Sequence, residues 1–160
     1  MSAEGAEGAE SYGGMRDLEG WARGMKVLLR WGRSMFMEFE DITEKIIGSF
    51  YEVYRVLGSG FLEKVYENAL GFEFVERGLG FGGQVLIRVE YKGRIAGDYF
   101  ADFIVEDEVV VEVKAKDCLC GVDEMQLLNY LKASGKRVGL LVNFGGKRLE
   151  FKRMVLGARD

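Results

Sequence analysis

The chain has 160 residues, 48% of them apolar and 30% charged, with a formal net charge of −4. That apolar content excludes a disordered protein and fits one domain with a real core, while no apolar run reaches the roughly 20 residues that a bilayer helix needs. Histidine and proline are both absent, which excludes Ser-His-Asp and Cys-His mechanisms within this chain and leaves oxygen as the ligand for any metal, favouring Mg²⁺, Mn²⁺ or Ca²⁺ over zinc.

Residues 1–36 differ from the rest and read as an extension. Met1–Gly14 repeats Ala-Glu-Gly units almost without large apolar side chains, the composition of a disordered segment. Trp21 to Met35 mixes Trp21, Val27, Leu28, Leu29 and Trp31 with glycines and arginines. Two readings stay open there, a short helix or an unstructured extension. Met35 or Met37 is a candidate start of the native chain. The N-terminus lacks the charged-then-apolar pattern of a signal peptide, so a cytoplasmic location is the expectation.

Residues 37–156 carry the ordered pattern, and 157–160 read as a tail. Ile42, Ile46, Ile47, Phe50, Val53, Tyr54 and Leu57 recur at helical spacing, and Gly58 stops that helix. Ser59 is the expected N-cap of a second helix over about Phe61 to Arg77, with Leu62, Val65, Tyr66, Ala69 and Leu70 on its apolar side. Gln84–Tyr91 alternates as a strand, Lys92-Gly93 turns, and Arg94–Val105 is a long strand in which Gly97 marks a bulge or bend.

Two apolar runs, Phe103–Val105 and Val109–Val113, flank Glu106, Asp107 and Glu108. This predicts a tight hairpin. If Val105 faces Val109, then Asp102 faces Glu112, and alternation puts Lys114 on the face of Glu112. Two carboxylates and an ammonium would crowd together in an apolar sheet. Like charges opposite each other destabilise, and buried charge is costly unless paired or metal-bound. A divalent cation is the simplest compensation.

Lys116–Gly121 is a loop, and its Cys118 and Cys120 match neither a redox nor a zinc spacing, so they read as reduced thiols. A third helix is expected from about Val122 to Ser134, ended by Gly135. Arg137–Asn143 reads as a buried strand, Gly145-Gly146 as a turn and Arg148–Val155 as a final strand. The order is α-α-β-β-β-α-β-β. From Lys132 onward, Lys132, Lys136, Arg137, Lys147, Arg148, Lys152, Arg153 and Arg159 face only Glu150 and Asp160. That basic end suits phosphates or simply solubility.

Asp, about ten residues, then Glu-x-Lys closing an apolar strand resembles the pattern of the PD-(D/E)XK nuclease superfamily. Glu38 to about Leu156 resembles its bacterial GxxExxY family. The name motif stands as Gly60-Phe-Leu-Glu63-Lys-Val-Tyr66, followed by Glu67-Asn68-Ala69-Leu70. Tyr91-Lys92-Gly93, Ala101-Asp102-Phe103, Val111-Glu112-Val113-Lys114-Ala115, Gln126-Leu-Leu-Asn-Tyr-Leu131 and Gly139-Leu-Leu-Val-Asn143-Phe144 follow in the matching order. Relatives often carry proline where Ser59 stands and histidine near Tyr54 or Asp123. These departures spare the charged residues and bear on substrate contacts.

The resemblance implies an α/β, restriction-endonuclease-like core: a mixed central sheet flanked by helices. It implies Mg²⁺ (or Mn²⁺) held by Asp102, Glu112, the Val113 carbonyl and Glu63, directly or through water. Lys114 would orient the attacking water and stabilise developing charge, since lysine's ordinary pKa near 10.4 makes it a poor base. Gln126 would orient Lys114 or a phosphate. Plainer readings stand beside these: an ion-paired cluster for Asp102, Glu112 and Lys114, a first-turn helix acid for Glu63, and a capping box with Asp123 for Gln126. Glu67 reads as a solvated helix residue, and Tyr66 and Tyr130 as core aromatics with hydrogen-bonded hydroxyls. The expected function is metal-dependent hydrolysis of phosphodiester bonds in nucleic acid, DNA or RNA, with a homodimer plausible for cutting two strands. The alternatives are a catalytically inactive nuclease-fold module that binds nucleic acid, and a partner-dependent subunit.

Overall fold

In the computed structural model, residues 39–157 are described. The expectations for the extension, for the native start and for all but the first residue of the tail lie outside them. Helix α1 covers 39–57 and α2 covers Glu63–Glu76. Strands β1 (Phe81–Tyr91), β2 (Arg94–Val105) and β3 (Val109–Lys114) follow, then α3 (Gly121–Ser134), β4 (Val138–Asn143) and β5 (Glu150–Val155). The element order is the predicted one. The five strands form one mixed sheet in the order β1-β2-β3-β4-β5, with β3 and β4 parallel and the other neighbours antiparallel. This is the restriction-endonuclease-like arrangement.

Alternation along β3 and β4 sorts the core into two layers. Val109, Val111, Val113, Leu140 and Val142 face Ile46, Phe50, Tyr66, Leu70 and Phe74 of α1 and α2. Val110 and Leu141 face Leu127, Tyr130 and Leu131 of α3, together with Ile87, Ala101 and Ile104. Because Glu112 and Lys114 follow Val110 at period two, they open toward α3.

The long β1–β2 hairpin turns at Lys92-Gly93, both with positive φ. Val89 pairs with Gly97 while Glu90 pairs with Ile95. Ala96 is therefore extra, and the bulge expected at Gly97 lies beside it. One expectation fails at α2: its N-cap is Leu62, with no side-chain cap bond, rather than Ser59. The preceding turn uses Gly58 at φ 64° and Gly60 at φ 111°, values that glycine adopts freely. The Tyr66 hydroxyl donates to the Gly58 carbonyl at 2.8 Å and accepts from the Phe61 amide at 3.2 Å. A tyrosine one turn inside the helix thus ties down the turn that leads into it.

The end of β3 is fixed from β4. Asn143, fully buried, accepts from the Lys116 and Gly145 amides at 3.0 and 3.1 Å and donates to the Lys116 carbonyl at 2.8 Å. Gly145 packs so closely that a Cβ there would stand 2.2 Å from the Lys116 nitrogen, whereas one at Gly139 would meet only the Leu127 side chain, at 2.8 Å. Backbone cannot yield as a leucine tip can. Gly145→Ala should therefore cost about 2–3 kcal/mol, against about 1 kcal/mol for Gly139→Ala, read from urea unfolding midpoints. Equal losses would contradict this packing.

Candidate metal and catalytic centre

Three segments meet where β2 and β3 part. Their ladder runs only from Val105–Val109 to Phe103–Val111. The predicted register holds that far, but Asp102 and Glu112 do not continue it as a paired rung. Instead Asp102 Oδ2 accepts from the Val113 amide at 2.8 Å. A side-chain oxygen takes the place of a backbone carbonyl, and the strands separate around it.

Asp102 Oδ1 and Glu67 Oε2 both accept from Gln84 Nε2, at 3.1 and 3.0 Å. Gln84 has φ 48°, a left-handed conformation uncommon outside glycine. Oxygens of Glu63, Glu67 and Asp102 lie within 4.8 Å of one another. The Gly60–Tyr66 turn sets the start of α2, so Glu63 and Glu67, one helical turn apart, face this point together. On the side facing α3, Lys114 Nζ donates to Glu112 Oε1 at 3.0 Å and to Gln126 Oε1 at 2.9 Å. Gln126 Nε2 in turn donates to the Tyr130 hydroxyl at 2.7 Å.

All the expected site residues lie in this region, with two corrections to the sequence reading. Glu67, expected to be solvated, is only 9% exposed and belongs to the acidic group. Glu112 is not in the three-way convergence; it sits beside it, with Oε1 on Lys114. Gln126 holds Lys114 as expected, and the plainer capping-box reading of it is not seen, since the box of α3 is Cys120 with Asp123. Gln84 was not anticipated, because a glutamine after two glycines carries no signal of its own. The i+4 spacing of Glu67 from Glu63 was the one available clue to its place. Val113 meets the site through its amide. The thiols of Cys118 and Cys120 are free, as expected. Tyr66 is a core aromatic, stacked on Phe144 with centroids 4.6 Å apart, and Tyr130 is buried with its hydroxyl bonded. In the basic C-terminal third, Lys136 pairs with Asp107 at 2.9 Å and Lys152 with Glu124. Both are tied to acids rather than held ready for phosphate.

Burial dominates the electrostatics. It pushes the Glu112 carboxyl up to about 7 from its ordinary 4.5; the Asp102 charge adds to this and Lys114 opposes it. Asp102 is raised by burial and by Glu67, against the Val113 amide. Glu63 is raised by burial, with Asp102 and Glu67 adding and Lys114 opposing. Burial works against the charge of Lys114 too, but Glu112 outweighs it and holds the lysine above its ordinary pKa. Among the described residues, Glu112 Oε2 is buried without a hydrogen-bond partner. An orphaned carboxylate oxygen beside three converging carboxylates is short of positive charge, and a hard divalent cation with oxygen ligands fits it.

The sign of the pH effect follows. Folded Glu112 holds its proton up to about 7, unfolded Glu112 only to about 4.5. The folded state binds more protons in that interval, so this residue's contribution to stability falls as pH rises through it and is least above about 7. In EDTA, Glu112→Gln should therefore be more stable than wild type at pH 8, by at most about 3 kcal/mol, and the gap should narrow as pH falls and close below 4.5. Mn²⁺ should raise the melting temperature of wild type more than that of the variant. Parallel melting curves across this range would refute the assignment.

The model of the PD-(D/E)XK nuclease superfamily matches residues 40–154. No curated protein matches. Among solved structures, the crystal structure of SSO0001 aligns with a TM-score of 0.45 at 20% identity, over 77% of this chain and 63% of that one. This chain therefore spans a little under two thirds of that protein's length. With the family match covering most of its residues, and with the Asp and Glu-x-Lys elements gathered at one point of the fold, this chain belongs to the PD-(D/E)XK nuclease superfamily.

Proposed function

We propose that the chain is a Mg²⁺- or Mn²⁺-dependent nuclease of the GxxExxY branch, hydrolysing phosphodiester bonds. The observation that carries this reading is the buried, unpartnered Glu112 Oε2 next to the Glu63, Glu67 and Asp102 carboxylates. At neutral pH a cation is what would hold this set of oxygens fully ionised; without one, burial lets Glu112 keep its proton up to about 7. Asp102 and Glu112 would hold it, with Glu63 and the Val113 carbonyl completing the donors from the protein and Glu67 supporting them. A bound divalent cation supplies Lewis acidity, lowering the pKa of water and offsetting phosphate charge.

The chain's own residues supply the rest. Lys114 remains an ammonium, so it donates to the attacking water and to phosphate oxygens rather than removing a proton. Glu112 and Gln126 anchor its Nζ from two sides, and Tyr130 anchors Gln126. Gln126 is thus a positioning residue for the lysine. The GxxExxY assignment is supported by the work each motif residue does: Gly60 takes a φ that glycine favours, Tyr66 clasps the turn, and Glu63 is presented to Asp102.

With Mn²⁺ or Mg²⁺, purified protein should cut labelled nucleic acid, and EDTA should abolish cutting. Lys114→Ala and Glu112→Ala should each lower the rate at least about 100-fold, while Gln126→Ala should lose less and keep the metal-induced rise in melting temperature. Failure to cut any DNA or RNA form, together with Glu112→Ala behaving like wild type in metal titration, would overturn the reading.

A further inference from the structure

Two grooves flank the proposed centre, and each shares residues with it. The first has a cavity volume of about 360 Å³ between α2 and β1; Phe72, Val75 and Phe81 form its walls, and Glu67, Gln84 and Asp102 its inner end. The second, of about 710 Å³, lies between β2 and the start of α3; Tyr99, Val122 and Met125 line it, with Gln126, Asn129 and Tyr130. A polar chain joins them. It runs from Gln84 through Asp102 to the Val113 amide, across the neighbouring Glu112 and Lys114, and on to Gln126 and Tyr130.

The walls are unusually bare. Phe72 is 71% exposed, Val75 68%, Val122 76% and Met125 62%. Apolar surface left open on both sides of a polar centre marks a binding surface rather than chance exposure. The second groove has no charged lining residue, and the first offers one cation, Lys64, already paired with Glu67 at 2.7 Å. A duplex presents a densely charged backbone to its protein and keeps its base faces stacked inside. Neither property suits grooves with apolar, partly aromatic walls whose few charged lining residues, Glu67 and Asp102 with the paired Lys64, are acidic on balance. An unstacked strand offers the matching chemistry: a phosphate for the centre and base faces for apolar walls, with amides such as Gln126 and Asn129 at hand for base edges.

Building on the nuclease reading, we propose that the substrate is single-stranded at the point of cleavage. The bases on the two sides of the scissile phosphate lie in the two grooves, one against Phe72 and Phe81 and the other against Tyr99.

The test uses the full chain with a fluorescein-labelled DNA oligonucleotide and the blunt duplex of the same sequence. Binding is read by anisotropy in Ca²⁺, and cleavage in Mn²⁺. The single strand should bind at least about tenfold more tightly than the duplex and be cut in preference to it. Phe72→Ser and Tyr99→Ser should each weaken single-strand binding about fivefold or more. Tyr99 touches Tyr130, so Val122→Ser, at an open position, provides a second probe of that groove. Val56→Ser, which removes equally exposed apolar surface elsewhere on the molecule, should change nothing. A duplex bound and cut better than the single strand overturns the groove assignment and leaves the nuclease reading standing. Groove variants that bind like wild type overturn it too. So does light scattering that shows a dimer split by these substitutions with oligonucleotide binding intact, because the grooves then belong to a second copy. Groove-dependent binding of the single strand without cutting keeps the assignment and removes hydrolysis. If neither form is bound or cut, both readings fall.

Discussion

The bond from the Val113 amide to the Asp102 carboxylate is the constraint on which the site depends. Strands that part inside a protein leave backbone donors and acceptors without partners, and buried orphans of that kind are costly. Here β2 leaves β3 after Phe103, and the carboxylate takes over the donor that the ladder gives up. The separation opens a slot through the sheet. Groups from the α2 layer and from the α3 layer reach each other across it, which an unbroken sheet would prevent.

The slot concentrates negative charge where water is scarce. Glu63, Glu67, Asp102 and Glu112 come from two helical turns and two strands, and only part of their charge is answered. Lys114 serves Glu112, Lys64 serves Glu67, and the Gln84 amide bridges Glu67 and Asp102. Among the described residues, one oxygen of Glu112 has no hydrogen-bond partner. Burial accordingly raises the carboxyl pKa values. Such a group is hard to hold ionised without compensation, because the desolvation of Glu112 outweighs its pairing with Lys114. Tension between burial and charge is a recurrent property of functional sites.

Much of this was legible beforehand. Hydrophobic periodicity and glycine punctuation placed every element, because the described part of the chain has long, regular apolar patterns. The hairpin register followed from the acidic turn at Glu106–Glu108. The alternation argument correctly put Lys114 beside Glu112. It could not show that the rung after Phe103 is broken, since parting depends on which partner each strand keeps farther along. Helix capping was misread at Ser59, where residue type pointed to a side-chain cap and the chain instead uses a turn at Gly58 and Gly60 held by the Tyr66 hydroxyl. At Gln126 the reading as a partner of Lys114 held, and the capping-box alternative did not. Glu67 was misplaced because a charged residue on a helix is usually outside, and only the approach of β1 and β2 covers it. Gln84 was invisible, its role being set by a backbone twist that no pattern announces.

The division of the site between layers bears on how the chain comes to life during synthesis. Glu63 arrives with the second helix, Asp102 and Glu112 with the hairpin, and Gln126 only with the third helix, which needs β4 to lie against. The Asn143 clasp that steadies the segment after Lys114 comes later still. A nascent chain lacking its last two strands therefore has the acids without a positioned amine. On the proposed reading, the centre is therefore completed only when almost the whole domain has emerged and closed.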